Sequence, residues 1–181
     1  MPQFPTHAPV LWFTGLSGAG KTTIAREIHQ ELTNRGIKVE LLDGDEIRAV
    51  LSPDLGFSRK DRDLQVQRLG YIASLLARNR VVVLVSAISP YESSRNQALS
   101  MCERGREIHV HAPFETVLQR DTKGLYKKAL AGEIKGLTGY DDPYEAPTQP
   151  DLFVPTAELE LDQAKELVMR FLEKELADAG I

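Results

Sequence analysis

With a single cysteine, Cys102, the chain cannot close a disulfide on itself or build a multi-cysteine zinc site. That thiol is read as buried or half-buried and chemically idle. Such cysteine usage suits a reducing compartment, so a cytoplasmic location is expected. No apolar run approaches the length needed to cross a bilayer, and no membrane partner is expected. The opening residues, MPQFPTHAPV, lack a basic segment followed by an apolar stretch and do not read as a signal peptide. Pro2, Pro5 and Pro9 instead suggest a short extended arm. Positive charge is not in excess either. Lys and Arg number 22 against 26 Asp and Glu, a formal net charge of −4, which argues against general nucleic-acid or anionic-membrane binding. The histidines, His7, His29, His109 and His111, show no metal-ligand spacing with carboxylates or cysteines. His109 and His111 share one face of a strand by alternation, for which a structural or edge position is the simpler explanation.

What remains is an ordinary globular composition. Hydrophobic residues make up 42% and charged residues 27% of 181 residues, enough for one domain spanning the chain, with its own core. Strand and helix signals alternate along it. Apolar runs at 10–14, 38–43, 81–88 and 106–112 read as strands, and the alternation at 157–162 reads as a fifth. Helical patterns occupy 20–35, with Ile24, Ile28 and Leu32 four apart, then 62–78, about 92–103, and 163–177. The unbroken β-branched run at 81–88 predicts burial on both faces. Strands separated by helices predict an α/β fold, a parallel sheet with helices on both faces. Such sheets bind ligands beyond the carboxyl ends of their strands. The stretch 121–155 breaks the rhythm, being rich in Gly, Lys, Pro and Tyr, and is predicted to be a lid insertion. Trp12, in the first strand, is expected in the core.

Gly15-Leu16-Ser17-Gly18-Ala19-Gly20-Lys21-Thr22 matches the phosphate-binding pattern G-x-x-x-x-G-K-[ST]. Glycines let the backbone curl so that successive N–H groups face phosphates, and the following helix points its positive end at them. Lys21 is expected to bridge the β- and γ-phosphates of ATP, and the Thr22 hydroxyl to take a place on Mg²⁺, with Thr23 beside it. Glycine-rich turns are often only turns, but a strand precedes this one and an amphipathic helix follows it.

The loop alone does not say where the phosphate goes. Motors and switches commonly carry a Mg²⁺-organising aspartate at the end of another core strand. The third strand here, ending in Ser86-Ala87-Ile88-Ser89, carries no acid, whereas the second ends in Leu42-Asp43-Gly44-Asp45. Asp43 and Asp45 either cap the next helix or organise Mg²⁺ and accept the proton of an attacking hydroxyl. Two acids at the ligand-binding rim favour the second reading, hence a kinase.

Beyond these motifs the chain resembles adenylylsulfate kinases. The resemblance is carried by GLSGAGKTTIA from Gly15, LLDGDEIR from Leu41, LGFSRKDR from Leu55, VSAISPYESSR from Val85, and RDTKGLYKKALAGEIKGLTGYDDPYEAP from Arg120. It implies a P-loop, three-layer fold with a five-stranded parallel sheet, a mobile lid and a homodimer. It also implies phosphate transfer from ATP to the 3′-hydroxyl of adenosine 5′-phosphosulfate (APS), giving PAPS. By the same resemblance Arg48 and Arg62 hold the phosphosulfate, a task that suits planar guanidinium groups. Phe57 stacks on the APS adenine, Ile88 and Ser89 form an APS-contacting turn, and Lys123 is a lid lysine near the phosphates, with Arg120 on the ATP side. Solvated arginines, local packing of Phe57 and helix capping by Ser89 are the plainer alternatives. Across the lid, Arg120, Lys123, Lys127, Lys128 and Lys135 stand against Asp121 and Glu133, although Lys127 and Lys128 are best read as a solvated helix face.

The chain departs from that family in two places. Leu64-Gln65-Val66-Gln67-Arg68 stands where the family usually has Glu-Asn-Ile-Arg-Arg, so Gln65 keeps the amide on a longer side chain and Gln67 replaces an arginine. Leu137 stands where Phe commonly supplies the second slice of an aromatic sandwich around adenine, and is expected to offer the base only an apolar contact in its place. Base–aromatic stacking is worth about 1–3 kcal/mol, so APS affinity about tenfold lower is expected if nothing compensates. Two rivals follow: a P-loop kinase for another small alcohol or nucleotide, and a non-catalytic nucleotide-binding module serving a partner such as ATP sulfurylase.

Overall fold

The computed structural model describes residues 7–181, so the proline-rich arm expected at 1–6 lies outside the described residues. The elements run β1 (Val10–Thr14), α1 (Lys21–Asn34), β2 (Val39–Asp43), α2 (Gly44–Leu51), α3 (Arg59–Arg78), β3 (Val82–Ser86), α4 (Glu92–Ser100), β4 (Gly105–His111), α5 (Phe114–Arg120), α6 (Leu125–Leu130), β5 (Leu152–Pro155) and α7 (Leu161–Ala179). The strands form one sheet in the order β2-β3-β1-β4-β5, every pairing parallel.

All residues of β1 and β3 are buried, as the apolar runs demand of strands covered on both faces. Alternation along β1 sends Leu11 and Phe13 into one core layer, with Ile24, Ile28 and Leu32 of α1 and Val168 and Leu172 of α7. Val10 and Trp12 enter the other layer, against Val66, Leu69 and Ala73 of α3 and Ala98 of α4. At the α3–α4 crossing a Cβ on Gly70 would come within 2.8 Å of the Ala98 Cβ, so this contact requires glycine. The Cys102 thiol is free and buried beside it, and burial pushes its pKa up to about 11.

The last strand requires a correction. Alternating Glu and Leu predicts a strand at 157–162, but β5 lies at Leu152–Pro155, within the stretch assigned to the lid. The alternating residues form a turn and the first turn of α7, where the Glu160 N–H donates to Gln163 Oε1 at 2.9 Å in a capping box. The helical spacing of Ala164, Val168, Leu172 and Leu176 outweighs a short alternation, while β5, closed by Pro155, is too brief to announce itself. Of the short helices, α5 was likewise not foreseen, while α2 and α6 entered the sequence reading only as the helix that Asp43 or Asp45 would cap and the solvated face of Lys127 and Lys128. For α2 a signal existed, since Asp43 precedes Glu46 by the capping-box spacing.

Candidate active site

Thr14 closes β1 and Lys21 opens α1, leaving Gly15 to Gly20 to curl between them at the carboxyl end of the central strand. The curl needs glycine where neighbours crowd it. A Cβ on Gly15, at φ +149°, would lie 2.1 Å from the Val110 carbonyl oxygen. Lys21 is buried, and its ammonium donates to the carbonyls of Gly15 at 2.9 Å and Leu16 at 2.8 Å, spanning the loop from within. Burial, and secondarily Lys123, lowers its pKa to about 8, against the pull of Asp45 and Asp43.

The two readings of Asp43 prove compatible. One carboxylate oxygen, Oδ1, caps α2 by accepting the N–H groups of Asp45 at 3.0 Å and Glu46 at 3.4 Å. The other, Oδ2, accepts the Thr22 hydroxyl at 2.9 Å, and Thr22 Oγ1 also lies 2.9 Å from Ser86 Oγ. Thr22, Asp43 and Ser86 therefore bring three hard oxygen atoms from α1, β2 and β3 to one point beside the phosphate loop. Asp45, one residue into α2, is exposed and forms an ion pair with Lys123 across the mouth of the cavity.

The opposite wall is built by arginines and one aromatic ring. Phe57 is 68% exposed and has no core duty. The Arg48 guanidinium sits 4.8 Å and that of Arg62 5.7 Å from its ring centre. Arg48 donates to the Gly56 carbonyl at 2.7 Å, while Arg62 donates to the carbonyls of Phe57 at 2.9 Å and Gly136 at 2.6 Å and to Thr138 Oγ1 at 2.8 Å. Arg62 thus rivets the Phe57 loop to the 136–142 segment, where Asp142 lies 3.5 Å from its Nε. Gln65 is buried on α3 and donates to the Gly44 carbonyl at 3.3 Å, leaving Oε1 without a hydrogen-bond partner among the described residues.

A cavity of about 470 Å³ joins these walls. Ser17, Gly18, Gly20, Lys21, Thr22, Thr23, Asp43, Asp45, Arg120 and Lys123 line it together with Arg48, Phe57, Arg62, Gln65, Ile88 and Ser89. Residues assigned to donor and acceptor therefore face one space of the size small-molecule sites occupy. Gly15, Leu16 and Ala19 of the phosphate loop are not among its lining residues, and Leu137 is a further exception. It is buried in the core layer and does not line the cavity, so the expected apolar contact with an adenine is not what this structure provides. Its N–H donates to Asp141, and it serves as an anchor of the segment that Arg62 grips. Gln67 also points elsewhere, donating to Gln97 on α4 at 3.0 Å. Of the cationic residues between 120 and 135, only Arg120 and Lys123 line the cavity, while Lys127 and Lys128 are exposed.

Some participants were missed in the sequence. Thr156 donates to the Ala19 carbonyl at 2.7 Å and also accepts Arg120 at 3.1 Å, pinning the phosphate loop to the end of β5. Tyr126 donates its hydroxyl to the Ser17 carbonyl at 2.9 Å, and burial pushes its pKa up to about 12. No local pattern distinguishes these two, because they reach the loop only through tertiary packing. Ser86 carried a signal, being a polar residue at the carboxyl end of a buried parallel strand.

A phosphate loop on the central strand, hydroxyl and carboxylate oxygens at the ends of two neighbouring strands, and a second wall of cationic and aromatic groups define a P-loop phosphotransferase acting on a small molecule. Residues 7–155 match the family model for adenylylsulphate kinase. A probable adenylyl-sulfate kinase of Pseudomonas aeruginosa is 52% identical over 161 residues, covering 89% of this chain and 75% of the relative. The adenylyl-sulfate kinase of Chloroflexus aurantiacus is 50% identical over 165 residues, 91% of this chain and 89% of the relative. Among solved structures, the Mycobacterium tuberculosis APS kinase CysC in complex with AMPPNP and APS superimposes with a TM-score of 0.89 at 40% identity, over 92% of this chain and 98% of that one. The chain belongs to the adenylylsulfate kinase family.

Proposed function

We propose that this chain transfers the γ-phosphoryl group of ATP to the 3′-hydroxyl of APS, giving PAPS and ADP. The observation that carries the proposal is the single cavity shared by the phosphate loop, the Asp43–Asp45 pair and the Arg48–Phe57–Arg62 wall. The bond between the γ-phosphorus and its bridging oxygen breaks, a bond to the ribose oxygen forms, and the hydroxyl proton passes to Asp45. Lys21 neutralises charge on the β- and γ-phosphates, and Thr22 and Thr23 receive them at the start of α1. Arg48 and Arg62 hold the phosphosulfate while Phe57 offers its free face to the adenine. Gln65, whose Oε1 has no hydrogen-bond partner among the described residues, lines that side, and Ile88 and Ser89 close it. Arg120 serves the nucleotide side through Thr156.

The donor set of Thr22, Asp43 and Ser86 fits Mg²⁺, which takes oxygen ligands and is commonly held by few protein groups plus phosphates and water. When bound, it supplies Lewis-acid stabilisation to the phosphate oxygens. Thr22 and Asp43 would hold it.

Of the 121–155 stretch expected to be a lid, the part before Gly136 acts as one, and the Lys123–Asp45 pair is its closing contact. Closure excludes water, the competing phosphoryl acceptor. A single catalytic domain working as a cytoplasmic homodimer completes the proposal. The single cysteine suits that compartment, and light scattering tests the dimer. No helix among the described residues is long and apolar enough to cross a membrane. A coupled assay for ADP with APS, adenosine 5′-phosphate and simple sugars tests the acceptor. Selective turnover of APS is expected, and equal rates with all of them would overturn the assignment.

A further inference from the structure

Ser89 is bent into the left-handed region, at φ 47°, although it is not glycine. A serine held there carries backbone strain that its surroundings must over-determine. The surroundings are buried and specific. The Trp12 indole N–H donates to Ser89 Oγ at 3.0 Å, and Arg95 Nη1 donates to the Ser89 carbonyl at 2.9 Å. One residue earlier, Thr14 Oγ1 donates to the Ile88 carbonyl at 2.7 Å. Trp12 and Arg95 are both completely buried, and Arg95 is fixed in turn by Glu107, whose Oε1 accepts its Nε at 2.6 Å.

Trp12 and Thr14 lie on the same face of β1 by alternation, and the residue after Thr14 is Gly15 of the phosphate loop. One strand therefore fixes both the donor loop, through its chain, and the Ile88-Ser89 turn, through its side chains. The turn lines the cavity, whereas Trp12 and Arg95 do not.

We propose that Trp12 and Arg95 are positioning residues that lock the Ile88-Ser89 turn in its left-handed bend and thereby set the acceptor side of the cavity against the phosphate loop. The inference rests on the reading of that side as the APS site. Neither residue touches a substrate, and each acts through Ser89. Their loss therefore shifts the acceptor KM and leaves ATP affinity in place, because Lys21, Thr22 and Asp43 are held by other contacts.

The test uses Trp12→Phe and Arg95→Lys in the full chain, with ATP Kd by calorimetry and steady-state kinetics in APS. Trp12→Phe removes the indole donor and, being smaller, leaves a small cavity whose effect on stability is read separately by thermal denaturation, so it remains informative if Arg95→Lys fails to fold. The expected result is a rise of about fivefold to tenfold in KM for APS, the scale of one lost hydrogen bond, with ATP Kd changed less than about twofold. An unchanged KM for APS in Trp12→Phe, or equal losses for both substrates, would overturn the inference while wild-type turnover of APS left the function standing. Absence of APS turnover by the wild-type protein would remove the acceptor assignment and this inference together.

Discussion

Lys21 carries its charge where burial opposes it, with a pKa near 8 instead of 10.5. Two consequences of opposite sign follow. The folded state binds fewer protons at this residue than the unfolded chain between pH 8 and 10.5, so its contribution to stability rises with pH across that window. Phosphate binding favours the ammonium form, so ATP affinity falls as pH rises above 8. Calorimetry should show ATP Kd increasing about tenfold between pH 7 and 9, one decade per unit once the free lysine is neutral. Lys21→Met should bind ATP far more weakly and with a flat profile. A flat profile for the wild-type protein would contradict the assignment of Lys21 to the phosphates.

At the scale of elements, the segment from Gly136 to Glu145 is a strap held at many points rather than a free loop. Arg62 grips its start, and Tyr144 lies 3.1 Å from the Thr14 hydroxyl. The Glu145 N–H donates to the Pro90 carbonyl at 2.8 Å, and the Glu145 carboxylate accepts the Glu92 N–H at the start of α4, also at 2.8 Å. Gly139 sits at φ +87°, and a Cβ there would come within 2.5 Å of Leu16 Cδ2 in the phosphate loop. Gly139→Ala should therefore cost about 1–2 kcal/mol in thermal denaturation, the penalty of a left-handed alanine, with Leu16 turning aside. The Lys123–Asp45 pair is different, because both side chains are more than half exposed. Lys123→Ala should change stability by less than about 1 kcal/mol yet reduce kcat on the order of 10²-fold, as befits a contact made over the reacting groups. A variant losing stability instead of turnover would assign Lys123 to the scaffold.

Across the whole molecule, the pair of wholly buried Arg95 with the half-buried Glu107 joins α4 to β4 beneath the acceptor side. Arg95 Nη2 finds no hydrogen-bond partner among the described residues, so the guanidinium depends heavily on that one carboxylate. Glu107→Ala would leave a buried cation unpaired, at a cost of about 3–5 kcal/mol measured by urea unfolding. His109 adds an acid-sensitive site in the same strand. Burial, with secondary contributions from His111 and Arg95, lowers its pKa to about 4. Its contribution to stability is therefore complete above about pH 6.5 and declines as pH falls toward 4.

Most of the scaffold was legible because its signals are local. The phosphate loop, the helix after it and the buried β-branched strand each announce themselves within a dozen residues, and the acids at the end of β2 mark the ligand rim. The fifth strand was not, because a short apolar run between prolines carries less information than the alternation beside it. Leu137 was misplaced for a related reason: position in a motif says which segment approaches the site, not which way a side chain turns.

The sequence by itself determined the chemistry available to this protein, a phosphate cradle with its lysine, paired carboxylates and a set of arginines, since each depends on residue type at fixed spacing. Only the tertiary structure decided what those groups share. Thr22 meets Asp43 and Ser86, Lys123 crosses to Asp45, and Trp12 with Arg95 holds a strained serine, because parallel pairing of β2, β3 and β1 brings distant strand ends to one rim. No spacing along the chain encodes that convergence, which arises when both faces of the sheet are buried and every strand must end at the same edge.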